Sequence, residues 1–307
     1  GIVSSLAMSD GDGLSDERIA NLLQKFPANP DLLFVDAKSK IAAGDTLAAL
    51  QSVTAAHKHG PEHADALNLR IKTLADLGCT SVALELAQNA TSGVADDVVA
   101  KLEKAMNAQR ATWKKADKKA KSGIRDASGL ALSPDASAGP ESQVIGLAYY
   151  DVPMAKTSDA SATPLSELIS HLEYLRGHDY TFVGSAAISA AKRGATPLPE
   201  NPLLLSFDHG HKSFLYNVLP ILEQYNAPAV VGIATSWIAD NTVSGKDAEF
   251  MSWDEIRQAG QHALVTVSSM ADTLATHVAS NPQGRLDLAS VTRLYNVETS
   301  SYETEKE

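Results

Sequence analysis

The sequence predicts a two-part chain, an all-α helical repeat segment followed by an α/β segment, on three observations. The first hundred residues are self-similar at a fixed period. Residues 121–142 (KSGIRDASGLALSPDASAGPES) lose all periodicity and are rich in Ala, Ser, Gly, Asp and Pro. From Gln143 onward, short β-prone apolar runs alternate with stretches of helical spacing. At 307 residues there is room for two domains of ordinary size.

Composition narrows the function classes. An apolar share of 44% and a charged share of 21% are those of a folded chain. No run of eighteen apolar residues occurs, so no transmembrane segment is expected. Gly1–Ala7 is too short for a signal peptide. The net charge of −11 disfavours a nucleic-acid partner, which needs clustered Lys and Arg. The one basic stretch, Trp113–Lys121, reads as a solvated helix end. A single cysteine, Cys79, leaves no internal disulfide and no multi-cysteine zinc site.

Residues 1–14 are read as a tail and 15–120 as the helical segment. Asp31 recurs as Asp65, Gly44 as Gly78 and Ala49-Leu50 as Ala83-Leu84, each pair 34 residues apart (44 to 78). That is the period of tetratricopeptide helix pairs, which the segment resembles. Gly44 and Gly78 end apolar-periodic runs, where a helix C-terminus needs positive φ. Helices are expected over about 15–26, 30–43, 46–58, 64–77, 80–90 and 95–120, the first and last acting as caps. Such an array implies a protein or peptide partner. His57, His59 and His63 read as surface histidines around a turn rather than a metal site.

After the linker at 121–142, residues 143–307 form the α/β segment. Val144–Tyr150 reads as a buried strand, and Thr163-Pro164 opens a helix whose Leu165, Leu168, Ile169, Leu172 and Leu175 share one face. Tyr180–Val183 is a strand and Ala186–Arg193 a helix. Strand Leu203–Phe207, helix Lys212–Tyr225 and strand Pro228–Ala234 follow. Ser252 with Glu255 forms a capping box, and His262–Ser268 is the next strand. Alternation of this kind implies a parallel sheet or barrel with ligands at the strand C-terminal ends.

One strand end carries Ser206-Phe207-Asp208-His209-Gly210-His211-Lys212-Ser213-Phe214. This resembles the S/T-F-D-D-G-Y-x-S-F signature of NodB-type polysaccharide deacetylases, and most closely those acting on poly-β-1,6-N-acetyl-D-glucosamine in biofilm export systems. Tyr149-Tyr150-Asp151-Val152, Pro197-Leu198-Pro199, Thr235-Ser236-Trp237-Ile238, Asn281-Pro282-Gln283-Gly284 and Arg293-Leu294-Tyr295 match further family stretches. The resemblance implies a partial (β/α) barrel, truncated relative to the family. It also implies a periplasmic or outer-membrane-associated location.

By that resemblance Asp208 stands at the general base, while His209 replaces a metal-binding Asp. Met270 and Ala275 stand at the two histidine ligands, and Tyr150 replaces the histidine of Y-H-D-V. Alanine offers no donor and a thioether suits only soft metals. A rebuilt site from His209, His211 and His277 is the alternative. No cofactor is therefore expected, or zinc or another divalent metal if the site is rebuilt. Tyr149, Tyr150 and Trp237 are candidates for stacking on sugar rings. The leading expectation is a degenerate deacetylase that holds a β-1,6-N-acetylglucosamine polymer, or an export-machinery protein through its repeats, without efficient catalysis. The alternatives are an active metal-dependent N-deacetylase with relocated ligands, and a plain interaction scaffold.

Overall fold

The computed structural model describes residues 15–90, 93–127, 144–240 and 250–270, with four short strand segments beyond. The tail at 1–14, most of the linker, Ala275 and the segment at 281–285 lie outside the described residues. The chain divides into two compact units, residues 1–137 with 166–179, and residues 138–165 with 180–307.

The first unit is helical. It contains α1 (Asp16–Lys25), α2 (Pro30–Ala42), α3 (Thr46–His59), α4 (Ala64–Asp76), α5 (Thr80–Gln88) and α6 (Asp96–Ala127). Several starts have a chemical reason. Ser15, Asn29 and Asp45 accept backbone N–H groups at the starts of α1, α2 and α3. Gly44 and Gly78 adopt φ +83 and +90, as their places after α2 and α4 require. Ala49 and Ala83, at equivalent positions of α3 and α5, are both fully buried. Two expectations need correction. The helix α6 runs to Ala127, past the expected linker start at 121. The three histidines flank the turn at Pro61-Glu62 as expected, but not as loop residues: His57 and His59 lie in the last turn of α3, and His63 caps α4 by accepting from Ala66 N at 3.2 Å.

The helix α7 (Leu165–Gly177), predicted within the α/β segment, makes its unit with these helices from Ser166 onward. Buried Glu173 explains the attachment, since its carboxylate accepts from Ser81 N (2.9 Å) and Ser81 Oγ (2.7 Å) at the start of α5. Trp113 packs so close to Gly177 that a Cβ there would meet its ring at 2.3 Å. Asp117 accepts from Tyr174 Oη (2.6 Å) and pairs with His178 Nε2 (3.0 Å).

The second unit is built on a parallel sheet. Its strands β1 (Ile145–Tyr149), β3 (Pro202–Phe207), β4 (Ala229–Ile233) and β5 (Val265–Ser269) lie in that order, and β2 (Thr181–Phe182) also pairs with β3. All of these pairings are parallel. Helices α8 (Ser185–Lys192), α9 (Leu219–Tyr225), α10 (Thr235–Asp240) and α11 (Trp253–Gly260) fill the crossovers, with the Ser252–Glu255 capping box in place before α11. A π-helical turn, Phe214–Val218, occupies the expected first half of the α9 helix. The central strand β3 is the core: Leu203, Leu205 and Phe207 are at most 1% exposed. Short antiparallel pairs β6 (His277–Ala279) with β7 (Leu286–Leu288), and β8 (Tyr295–Asn296) with β9 (Ser301–Tyr302), follow.

Candidate functional site

The parallel strands deliver side chains to one end of the sheet. Tyr150 follows β1, Asp208 and His209 follow β3, Trp237 follows β4, and Met270 follows β5. In parallel α/β sheets this carboxyl edge is where ligands bind.

The backbone is fastened there. Asp208 N donates to Tyr149 O at 2.8 Å, which holds the β1 and β3 ends side by side. Ser213 Oγ donates to Asp151 Oδ1 (2.6 Å) and accepts from Val152 N (3.0 Å), while Asn217 Nδ2 donates to Val152 O (2.8 Å). His209 and Gly210 then turn through the left-handed region at φ +72 and +76. A Cβ on Gly210 would meet the Ile233 side-chain end, Cδ1, at 2.9 Å, and the positive φ is what favours glycine there.

This turn sets the His209 imidazole into a stack of rings. Its centroid lies 5.3 Å from Tyr150 at 17° and 4.6 Å from Trp237 at 21°. Phe250 tilts against both Trp237 (5.2 Å) and His211 (4.6 Å). Met270 Sδ accepts from His209 N at 3.4 Å. It also fills the space over Gly232, where a Cβ would meet Sδ at 2.7 Å and Asp208 Oδ1 at 3.5 Å. Burial is the main cause that pushes the His209 pKa down, against the pull of the Asp208 carboxylate, so the imidazole is neutral at physiological pH. Asp208 Oδ1 accepts from Ser206 Oγ at 2.7 Å.

The structure thus brings together Asp208, His209, Tyr150, Trp237 and Met270, with His211 beside Phe250. It removes Tyr149 from the list of sugar-stacking residues. That ring is only 6% exposed and stacks on Phe207 at 5.4 Å, as part of the core. Tyr150, by contrast, is 41% exposed. The side chain of His277, like that of Ala275, lies outside the described residues. Phe250 and the thioether contact were not foreseen, because no local sequence signal links residues 150, 209, 237, 250 and 270. Trp237 Nε1 is buried with no hydrogen-bond partner among the described residues.

No family model matches the chain. A poly-β-1,6-N-acetyl-D-glucosamine N-deacetylase of Escherichia coli (strain K12) is 33% identical over 150 residues, covering 46% of this chain and 22% of that protein. The protein of the same name in Escherichia coli O157:H7 gives the same figures. The sequence comparison supports a polysaccharide deacetylase. The chain spans about a fifth (22%) of the length of the curated relatives it matches. Among solved structures, a de-N-acetylase from Aggregatibacter actinomycetemcomitans is 30% identical, covering 53% of this chain and 66% of that one at a TM-score of 0.48. The BpsB deacetylase domain from Bordetella bronchiseptica is 28% identical, covering 53% and 67% at a TM-score of 0.45.

The resemblance to polysaccharide deacetylases implies a divalent metal, and the described residues at this strand edge do not make a full donor set for one. The His209 ring is held between two aromatic rings, and the side chain that reaches it from the end of β5 is the Met270 thioether. Zinc and its neighbours take nitrogen, oxygen or thiolate donors, and a thioether is soft. Among the described residues no three His, Cys, Asp or Glu side chains gather in a way that would hold an ion.

Proposed function

We propose that this chain binds a β-1,6-linked N-acetylglucosamine polymer at the carboxyl edge of the sheet without hydrolysing it efficiently, as part of exopolysaccharide export or biofilm formation. One observation carries the reading: His209 and Met270, two of the positions where the family resemblance places metal ligands, are taken up in a stack with Tyr150 and Trp237 and in a backbone-to-thioether contact. Aromatic rings give a binding edge where ionic donors would give a catalytic one. The exposed Tyr150 ring offers a face to a pyranose, whose C–H groups pack on aromatic surfaces. The helices of residues 15–127 act, in this reading, as a tetratricopeptide-like surface for a protein of the export machinery. The periplasm or the outer membrane is the proposed location, and no helix among the described residues is long and apolar enough to cross a membrane.

The test is calorimetric titration of the full chain with a short β-1,6-N-acetylglucosamine oligomer. Binding that is lost in Tyr150→Ala and Trp237→Ala is expected. No heat and no saturable binding with folded wild-type protein would overturn the carbohydrate reading. A second reading, a working N-deacetylase with relocated ligands, draws on the neutral imidazole of His209 beside a retained Asp208. It requires one tightly held divalent ion per chain, which metal analysis after dialysis would reveal.

A further inference from the structure

The helix α6 changes character along its length. Leu102 and Met106 are buried, and Trp113 and Asp117 continue that face half-buried, at the spacing of one helical stripe. Before residue 110 the exposed charges are mixed. Lys101 Nζ donates to Asp97 Oδ2 at 2.7 Å, and Glu103 accepts from Gln88 Nε2 at 3.2 Å. Residues 110–125 are different: they hold seven Lys and Arg and one acid, Asp117, in a chain of net charge −11.

That one acid is occupied within its own unit. Asp117 Oδ1 accepts from Tyr174 Oη (2.6 Å) and Oδ2 pairs with His178 Nε2 (3.0 Å), so both carboxylate oxygens are engaged on the packed side of α6. Arg110, Lys114, Lys115 and Lys118 are exposed and make no ion pair among the described residues. At about 100° per residue, positions 110, 114, 118, 121 and 125 fall within an arc of about 80°. All five are Lys or Arg. They form a stripe about 23 Å long at about 1.5 Å per residue.

We propose that α6 lays this stripe on a bilayer surface of anionic lipid headgroups. A single helix face with one sign of charge matches a flat sheet of opposite charge. Protein interfaces place aromatic and apolar anchors at their centre and are depleted in Lys, whereas α6 exposes no large hydrophobic side chain among the described residues. A charged bilayer needs no such anchor, because each Lys or Arg near its surface is attracted separately by the surface potential. The contact is therefore reversible and salt-sensitive, as the screening length falls from about 10 Å at 0.1 M salt to about 3 Å at 1 M. The rest of the chain is more acidic than the whole, so the same surface repels it and the stripe sets how the chain docks. This inference is independent of the polymer-binding reading of the sheet edge.

The experiment is flotation of the full chain with vesicles of phosphatidylcholine alone and of an equal mixture with phosphatidylglycerol. Wild type should partition onto the mixed vesicles only, and about 0.5 M salt should release it. The triple variant Arg110→Gln, Lys114→Gln, Lys118→Gln keeps good helix formers at exposed positions and should lose roughly hundredfold in partition coefficient, at about fivefold per basic residue. Lys25→Gln, Lys58→Gln, Lys72→Gln makes the same change of net charge at exposed positions of other helices and should bind the mixed vesicles as wild type does. If circular dichroism shows the first variant misfolded, the single Lys114→Gln change should still lose about fivefold. No partition, equal partition onto both vesicle types, or equal losses in the two triple variants overturns the proposal. Tighter binding to soluble polyglutamate than to the mixed vesicles overturns the lipid assignment in favour of an acidic polypeptide.

Discussion

The ring stack can be weighed by replacing His209 with Asn. Asparagine is among the few residues that tolerate φ near +72, so the turn survives while both aromatic contacts go. Aromatic pairs contribute about 0.5–1.5 kcal/mol each, and His209 makes two, so the loss is about 1–3 kcal/mol. For a unit of this size that lowers Tm by roughly 2–12 °C. A pH signature separates the stack from general disruption. Burial holds His209 below its ordinary pKa, so the unfolded chain binds the proton more readily than the folded one. Its contribution is complete above about pH 6.5 and falls as pH drops toward the lowered folded value. Urea titrations of wild type and His209→Asn between pH 4.5 and 7.5 should show a gap that narrows toward the acid end, with an unchanged m-value. A gap absent at pH 7.5, or one independent of pH, would refute the reasoning that a neutral, stacked imidazole closes this edge.

Glu173→Ala should cost the first unit about 3 kcal/mol or more, because charge-assisted hydrogen bonds contribute about 1.5–3 kcal/mol each and the Ser81 donors would be stranded; an unchanged denaturant midpoint contradicts this. His178 is the opposite case to His209. Burial acts against its charge, yet the Tyr174 carbonyl and Asp117 raise its pKa, so its stabilisation is full below about pH 6.5 and fades as pH rises through the raised value. Asp117→Asn should flatten that alkaline decline, read as the pH dependence of the urea midpoint. Gly210→Ala should lower stability by at least about 1–2 kcal/mol from left-handed strain alone, measured by thermal melting.

Much of the architecture was legible because local chemistry writes it. The 34-residue recurrence of Gly44 and Gly78 announced two helix ends with positive φ, and Ser252 with Glu255 announced α11. The β-prone runs at 203–207 and 228–234 became β3 and β4 with boundaries shifted by a residue or so. Tertiary context decided the rest. The helix with Leu168 and Leu172 reads alike whichever unit claims it, and tertiary contacts such as the Glu173–Ser81 bonds and the Tyr174–Asp117 bond reveal its attachment. The π turn at Phe214–Val218 has the same apolar spacing as an α-helix start. At the site, the S-F-D-H-G-H stretch marked the strand edge correctly. It could not show that Tyr150 and Trp237 clasp the substituted histidine, or that Tyr149 turns inward, since neighbouring residues on one strand face opposite ways.

The most direct test of a non-hydrolytic role is acetate release from a β-1,6-N-acetylglucosamine oligomer incubated with the folded full chain and excess zinc, cobalt or nickel. The expected result is no release above a control without protein, while the same preparation binds the oligomer by calorimetry. Metal-dependent release that disappears in Asp208→Ala and His209→Ala would contradict it and establish a rebuilt catalytic centre.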